Sequence, residues 1–298
     1  MPRPARATSE PQGPLRLRVE LLRTLAALVA EIDRGLEHGV LSSEDIHDLH
    51  RDMRRVASGL AVWGRLVPAG QQEATEEVVR RLRRLARLVG RVRDRDVTTE
   101  LFTPSGRRDP RSRELAPWHE FLGRLRDDTH TGRELLRAFL RTERQAGLFD
   151  RARSVLETTP RPDAAQGLHR ILGEERRLRQ GRVRKAHRKA RRRPTSERLH
   201  RLRIRIRQWR HLASLELAAR ATAAQPTPSW QRLQDRLGQL HDLDVALATV
   251  PEELTDLSPP QRLKTTRRQL RESVRTSLER IAERPERVTA RARARGRR

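Results

Sequence analysis

The sequence predicts an all-α protein made of two tandem helical bundles, related by an internal duplication, with a basic groove or channel between them. Apolar residues recur at helical spacing along most of the chain, and two short motifs recur in the same order. The sequence contains no glycine-rich phosphate loop and no convincing βαβ unit. The predicted organisation is a flexible tail, a first bundle, a second bundle and a basic tail, at residues 1–14, 15–160, 161–284 and 285–298.

Charge is the strongest feature of the composition. The 298 residues include 66 Lys and Arg against 39 Asp and Glu, a formal net charge of +27. More than half of this excess lies between Arg176 and His211, where 17 basic residues stand against one acid. Such a charge predicts a polyanionic partner: nucleic acid, an anionic membrane surface or a phosphate polymer. The absence of cysteine excludes disulfides, Cys-ligated zinc and a Cys nucleophile.

The first half of the chain predicts five helices. The first helix is predicted to begin at Leu15; apolar residues from Leu22 to Leu36 form one of its faces, and Gly35 and Gly39 suit its end. Residues 103–117 are rich in Pro, Gly and Ser and predict a loop. The other helices of this half are predicted at residues 43–66, 72–90, 118–148 and 150–158.

The second half predicts four helices, at residues 165–193, 196–220, 229–249 and 259–283. Residues 201–207 alternate between arginine and an apolar residue, which is a strand signal. The same segment also carries Leu199, Leu202, Ile206 and Trp209 at helical spacing. The first copy of the repeat keeps the helical spacing without the alternation, so we interpret both copies as helices.

The repeat consists of two matched motifs. Residues 43–47 align with 196–200, sharing Ser, Glu and His, and both serines are predicted helix N-caps. Residues 90–97 align with 238–245, sharing the Gly, two Asp and the Val. Two motifs in the same order at offsets of 153 and 148 residues indicate a tandem duplication.

Basic stripes follow the predicted helices of both copies. In the second copy they have apolar residues on both sides, a pattern more typical of a groove wall than of an open surface. Crowding these cations together is costly without an anion, so the groove is expected to bind one. The stripe residues are His47, His50, Arg51, Arg54 and Arg55 in the first copy, and Arg182, Lys185, Lys189, His200, Arg203, Arg207 and Arg210 in the second.

The pattern from His200 to Arg207, followed by Arg210, resembles the signature of the CHAD family, the conserved-histidine α-helical domain. Residues 237–245 resemble the family's second motif. The resemblance implies two helical bundles that bind inorganic polyphosphate in a channel lined by the stripe residues of both halves. It implies no catalysis, because the triphosphatase motif found in some members is absent. Protonated histidines are expected to strengthen binding as the pH falls through roughly 6.5.

Other interpretations stay open. The charge alone would suit a nucleic-acid-binding or ribosome-associated protein. An enzyme of phosphate polymers could hold Mg²⁺ on the pairs Asp94/Asp96 and Asp242/Asp244, although pairing with arginines is the favoured role. No cofactor, metal or membrane insertion is expected, the tryptophans are expected in the core, and the location is expected to be cytoplasmic, at polyphosphate granules.

Overall fold

A computed structural model describes residues 12–103, 116–220 and 228–283, and all regular structure within them is helical. Residues 201–207 are helical, as interpreted from the repeat, and the all-α class is confirmed. No helix within these residues is long and apolar enough to cross a membrane. The helices are α1 (Gln12–Glu37), α2 (Ser43–Trp63), α3 (Gln72–Phe102), α4 (Ala116–Gln145), α5 (Leu148–Glu157), α6 (Ala164–Arg192), α7 (Ser196–Arg220), α8 (Pro228–Thr249) and α9 (Ser258–Glu283).

The helices meet in three clusters of buried side chains. The first cluster joins α1, α2, α3, α5 and the second half of α4 with the start of α6 and the second half of α7. The second cluster joins the remaining parts of α6 and α7 to α8 and α9. A small third cluster joins the ends of α3 and α8 to the start of α4. The hairpin of α6 and α7 thus contributes to both large clusters, and the boundary predicted at residue 160 stays a prediction.

The apolar stripes identified in the sequence are the buried faces of their helices. Leu199, Leu202, Ile206 and Trp209 are all buried on α7. All four tryptophans lie in the core, as predicted, and the indole N–H of Trp63 donates to the carbonyl oxygen of Val155 at 2.8 Å. Gly39 follows the end of α1 with a φ of +67°, a conformation that glycine adopts without strain.

Several predicted boundaries are wrong. Helix α1 begins at Gln12 and not at Leu15, and α3 continues past Gly90 to Phe102. The predicted loop at 103–117 and both chain ends fall mainly on residues outside the described ranges.

The predicted N-caps are displaced by one residue. Ser42 caps α2, forming a reciprocal capping box with Asp45. Before α7, the Thr195 hydroxyl accepts from the amide of Arg198 at 3.4 Å. Ser43 and Ser196, the two predicted caps, instead accept hydrogen bonds from arginines on other helices.

These serine contacts occupy corresponding places in the two halves. Arg133 on α4 donates to Ser43 at 2.9 Å and to Asp96 at 2.8 Å. On α9, Arg271 donates to Ser196 at 3.0 Å, and Arg267 forms an ion pair with Asp244. The same matched positions, Ser43 with Ser196 and Asp96 with Asp244, are therefore bound by arginines in both halves. This correspondence is what a duplication would leave, although the duplication itself stays a prediction.

Candidate functional site

A basic cavity of about 620 Å³ lies where α2 and α3 of the first half meet α6, α7 and α8 of the second half. The cavity draws side chains from both halves, between which the sequence predicts a groove. Its charged and histidine lining residues are His50 and Arg54 from α2, Arg83, Arg87, Arg91, Arg93 and Asp94 from α3, Glu175, Arg179 and Arg182 from α6, His200, Arg203, Arg207 and His211 from α7, and His241 from α8.

Helix α7 supplies the centre of the cavity. The apolar stripe of α7 is buried in the second cluster, and the neighbouring stripe faces α2 and α3. His200, Arg203, Arg207 and His211 recur at intervals of three and four residues on this stripe. Of the alternating arginines at 201–207, Arg203 and Arg207 line the cavity, whereas Arg201 and Arg205 do not.

Helix α3 approaches α2 closely at Gly90. A Cβ atom at this position would lie 3.2 Å from the imidazole Nε2 of His50. Glycine therefore leaves the space in which the His50 ring packs against α3 and reaches the cavity. Because the helix continues past Gly90, it places Arg91, Arg93 and Asp94 on the lining as well as Arg87.

The cavity is strongly positive. Nine arginines line it against two carboxylates, so the lining carries a formal excess of seven positive charges with its histidines neutral. Arg93 lies 3.9 Å from Asp94, and Arg179 forms an ion pair with Glu175 at 3.1 Å. The other seven form no ion pair with any residue in the described ranges: Arg54, Arg83, Arg87, Arg91, Arg182, Arg203 and Arg207.

The central arginines are crowded cations. Burial, followed by the charges of Arg54, Arg203 and Arg93, lowers the pKa of Arg207 to about 9. Burial also lowers the pKa of Arg54 and that of Arg203. The buried Nε of Arg207 has no hydrogen-bond partner. A bound anion would supply both the missing acceptor and the missing countercharge.

The cavity histidines are neutral near pH 7. Burial first, and then the neighbouring arginines, lower the pKa of His50 to about 3 and those of His211 and His241 to about 4. The pKa of His200 is lowered for the same reasons. Protonation of these histidines therefore needs a pH below 6.5, and the expected strengthening of binding at low pH stays a prediction.

Two histidine contacts join matched positions of the predicted repeat. The Nδ1 atoms of His200 and His241 are 3.3 Å apart. In the first half, the Nε–H of Arg93 donates to the Nδ1 of His47 at 3.1 Å. His47 is exposed and does not line the cavity, but it accepts a hydrogen bond from a cavity arginine.

The two aspartates of each matched motif have different surroundings. Asp96 and Asp244 form ion pairs with Arg133 and Arg267, as favoured from the sequence. Asp94 lines the cavity, and burial raises the pKa of Asp94 and also that of Asp242. No cluster of three or more metal-ligating side chains occurs in the part of the chain that the structure describes.

The structure gathers only some of the predicted site residues. His50, Arg54, Arg182, His200, Arg203 and Arg207 line the cavity. The other predicted residues do not line it: His47 contacts Arg93, Arg51 pairs with Asp48 and Asp52, Arg55 pairs with Glu20, Arg210 is 3.9 Å from Asp235, and Lys185 and Lys189 are exposed on α6.

Sequence reasoning missed the contribution of α3. Arg83, Arg87, Arg91 and Asp94 recur at helical spacing, and this pattern was available in the sequence. Ending the helix at Gly90 concealed it. His241 was also available, because it stands beside Asp242 in the second copy of the matched motif.

Comparison with known proteins agrees with this architecture. The chain matches the family model of the CHAD domain over residues 21–251. A crystal structure of the CHAD domain from the plant Ricinus communis is similar, with a TM-score of 0.56 and 16% identity, over 94% of this chain and 96% of that chain. At this identity the likeness supports the fold alone. No curated protein matched the chain.

Proposed function

Because the chain belongs to the CHAD family, we propose that its basic cavity binds inorganic polyphosphate. The observation that carries the proposal is the set of seven arginines that face one cavity without an ion pair in the described ranges. Three of the seven, Arg54, Arg203 and Arg207, are partly buried, where an arginine usually balances its charge with a carboxylate, and the other four are exposed at the cavity. A cavity that concentrates unbalanced guanidinium groups is suited to a ligand that brings several negative charges at once.

The chemistry of the ligand fits the lining. Polyphosphate presents anionic oxygens on every unit, and guanidinium groups bind such oxygens in charge-assisted, often bidentate hydrogen bonds. We assign the central contacts to Arg54, Arg203 and Arg207, and further contacts along the cavity to Arg83, Arg87, Arg91 and Arg182. His50 and His200 complete the proposed contacts, while His47 acts by orienting Arg93.

The proposed activity is binding without turnover. The lining offers no cluster of metal ligands among the described residues, and the sequence has no triphosphatase motif. We further propose that the protein is located in the cytoplasm, at polyphosphate granules. An assay of phosphate release with Mg²⁺ tests the enzymatic alternative, and release of phosphate by the purified protein would contradict the assignment.

The experiment that tests the proposal is a titration with polyphosphate and, separately, with single-stranded DNA at equal total charge. We expect polyphosphate to bind more tightly and to keep its affinity better when salt is raised from about 0.15 M to about 0.5 M. The reason is that dissolved salt screens charged contacts inside a partly enclosed cavity less than it screens those on an open surface. Equal affinities that fall together with salt would instead indicate a generic cationic surface and a nucleic-acid-binding protein.

A further inference from the structure

The second half of α6 is an exposed basic surface outside the cavity. Residues 182–193 contain eight Lys and Arg and no acid. Lys185 and Lys189 were predicted as site residues, yet both are exposed and neither lines the cavity. Neither side chain forms an ion pair with any described residue. The cavity therefore leaves these two charges without an evident partner.

The position of these lysines relative to the cavity follows from helix geometry. Glu175, Arg179 and Arg182 recur along α6 and face the cavity. At 100° per residue, Lys185 and Lys189 lie within about 90° of this stripe, and Lys189 is about 10 Å beyond Arg182 along the axis. The two lysines thus extend the basic lining from the edge of the cavity onto the outer surface.

A second pair of cations on the same helix faces elsewhere. Arg184 and Arg188 are also exposed and form no ion pair with any described residue. They lie more than about 140° from the cavity-facing stripe. Removing either pair takes the same charge from the same helix. Both pairs lie towards its C-terminal end, where the helix dipole favours cations. The two pairs differ chiefly in direction.

We propose that a polyphosphate chain longer than the cavity leaves it past Arg182 and continues over Lys185 and Lys189. This inference rests on the proposed function and adds an external part to the binding site. Exposed lysines suit this role because they contact phosphates as mobile point charges without a fixed geometry. Such contacts raise the affinity for long chains and contribute nothing to chains that the cavity alone can hold.

The test compares Lys185→Gln/Lys189→Gln with the matched control Arg184→Gln/Arg188→Gln. Each protein is titrated calorimetrically with tripolyphosphate, with long-chain polyphosphate and with oligodeoxythymidylate, at several salt concentrations. We expect the lysine variant to lose about three- to tenfold in affinity for the long chain. The slope of its log affinity against log salt concentration should become shallower by about 1 to 1.5. The control variant should change less than about twofold, and tripolyphosphate should bind all three proteins equally.

Each other outcome contradicts the inference in a recognisable way. Equal losses in both variants would mean that α6 acts only through its overall charge. A loss of tripolyphosphate affinity in the lysine variant would place the lysines in the cavity site. A loss restricted to oligodeoxythymidylate would make the surface a nucleic-acid contact. If the unaltered protein bound no polyphosphate of either length, the proposed function itself would fail.

Discussion

The arginines of this protein lie in two contrasting regions. On the outer side, Arg133 and Arg267 bind Asp96 and Asp244 and hold α4 and α9 against their neighbouring helices. In the cavity, Arg207 is surrounded by other arginines, and Arg203 lies near Asp94 and Asp242 as well as Arg93. Neither Arg203 nor Arg207 forms an ion pair with any described residue. Arginine therefore stabilises the fold in the first region, whereas in the second region its charged form is disfavoured by its surroundings.

The difference separates structural arginines from functional ones. A partly buried cation beside a carboxylate favours folding, and its loss leaves a buried charge. A partly buried cation among other cations opposes folding, so its presence needs another explanation, and binding an anion is the simplest. The count of arginines alone could not make this distinction, because each arginine adds one positive charge in either region.

The largest expected effect concerns the outer region of the first half. Replacing Arg133 with Met leaves the carboxylate of Asp96, which is only 4% exposed, without its partner. We expect a loss of about 2 to 3 kcal/mol in the free energy of unfolding, measured in urea. The affinity for polyphosphate should change little, because Arg133 does not line the cavity.

The corresponding change in the second half sharpens the comparison. Asp244 and Arg267 are both more exposed than Asp96, so Arg267→Met should cost about 1 kcal/mol or less. Equal destabilisation by the two variants would show that burial does not set the strength of these pairs. A strong loss of binding in either variant would show that the two regions are not separate.

The cavity histidines are expected to make the stability of the protein depend on pH. Their pKa values are about 3 for His50 and about 4 for His211 and His241, against about 6.5 in an unfolded chain. Between these values the unfolded chain binds more protons than the folded protein, so the protein should lose stability as the pH falls from about 6.5 towards 4.

Bound polyphosphate should stabilise the protein more strongly as the pH falls, which is opposite to the trend expected without it. An anion beside the histidines favours their protonated form, so binding takes up protons and strengthens over the same pH range. The measurement is the melting temperature with and without polyphosphate at several pH values between 7.5 and about 4.5. We expect the stabilisation by ligand to grow as the pH falls, and His50→Gln/His241→Gln to reduce that growth. A stabilisation that stays constant or shrinks would contradict a cavity site.

Helical periodicity explains how much the sequence predicted. The apolar stripe of α7 placed Arg203 and Arg207 beside the core, and the matched motif extended the prediction to His50 and Arg54. These predictions were possible because a helix face is a local property of the sequence. The all-α class followed from the same periodicity.

The remaining lining depends on how helices pack, which spacing alone does not specify. Gly90 resembled a helix end, but its role is to admit the ring of His50 between α2 and α3. Lys185 and Lys189 share a helix with Arg182, yet only Arg182 reaches the cavity, which extends no further along α6. Arg51 and Arg55 lie next to the lining in sequence, but carboxylates outside the cavity bind them.

The most direct test of the central claim is to measure binding and stability together in Arg203→Gln/Arg207→Gln. Glutamine keeps much of each side-chain stem while removing the charge. The claim predicts at least a tenfold loss of polyphosphate affinity, about 1.4 kcal/mol or more, with an unfolding free energy that is unchanged or higher. Unchanged affinity, or a stability that falls together with affinity, would contradict the claim that these arginines serve a bound anion rather than the fold.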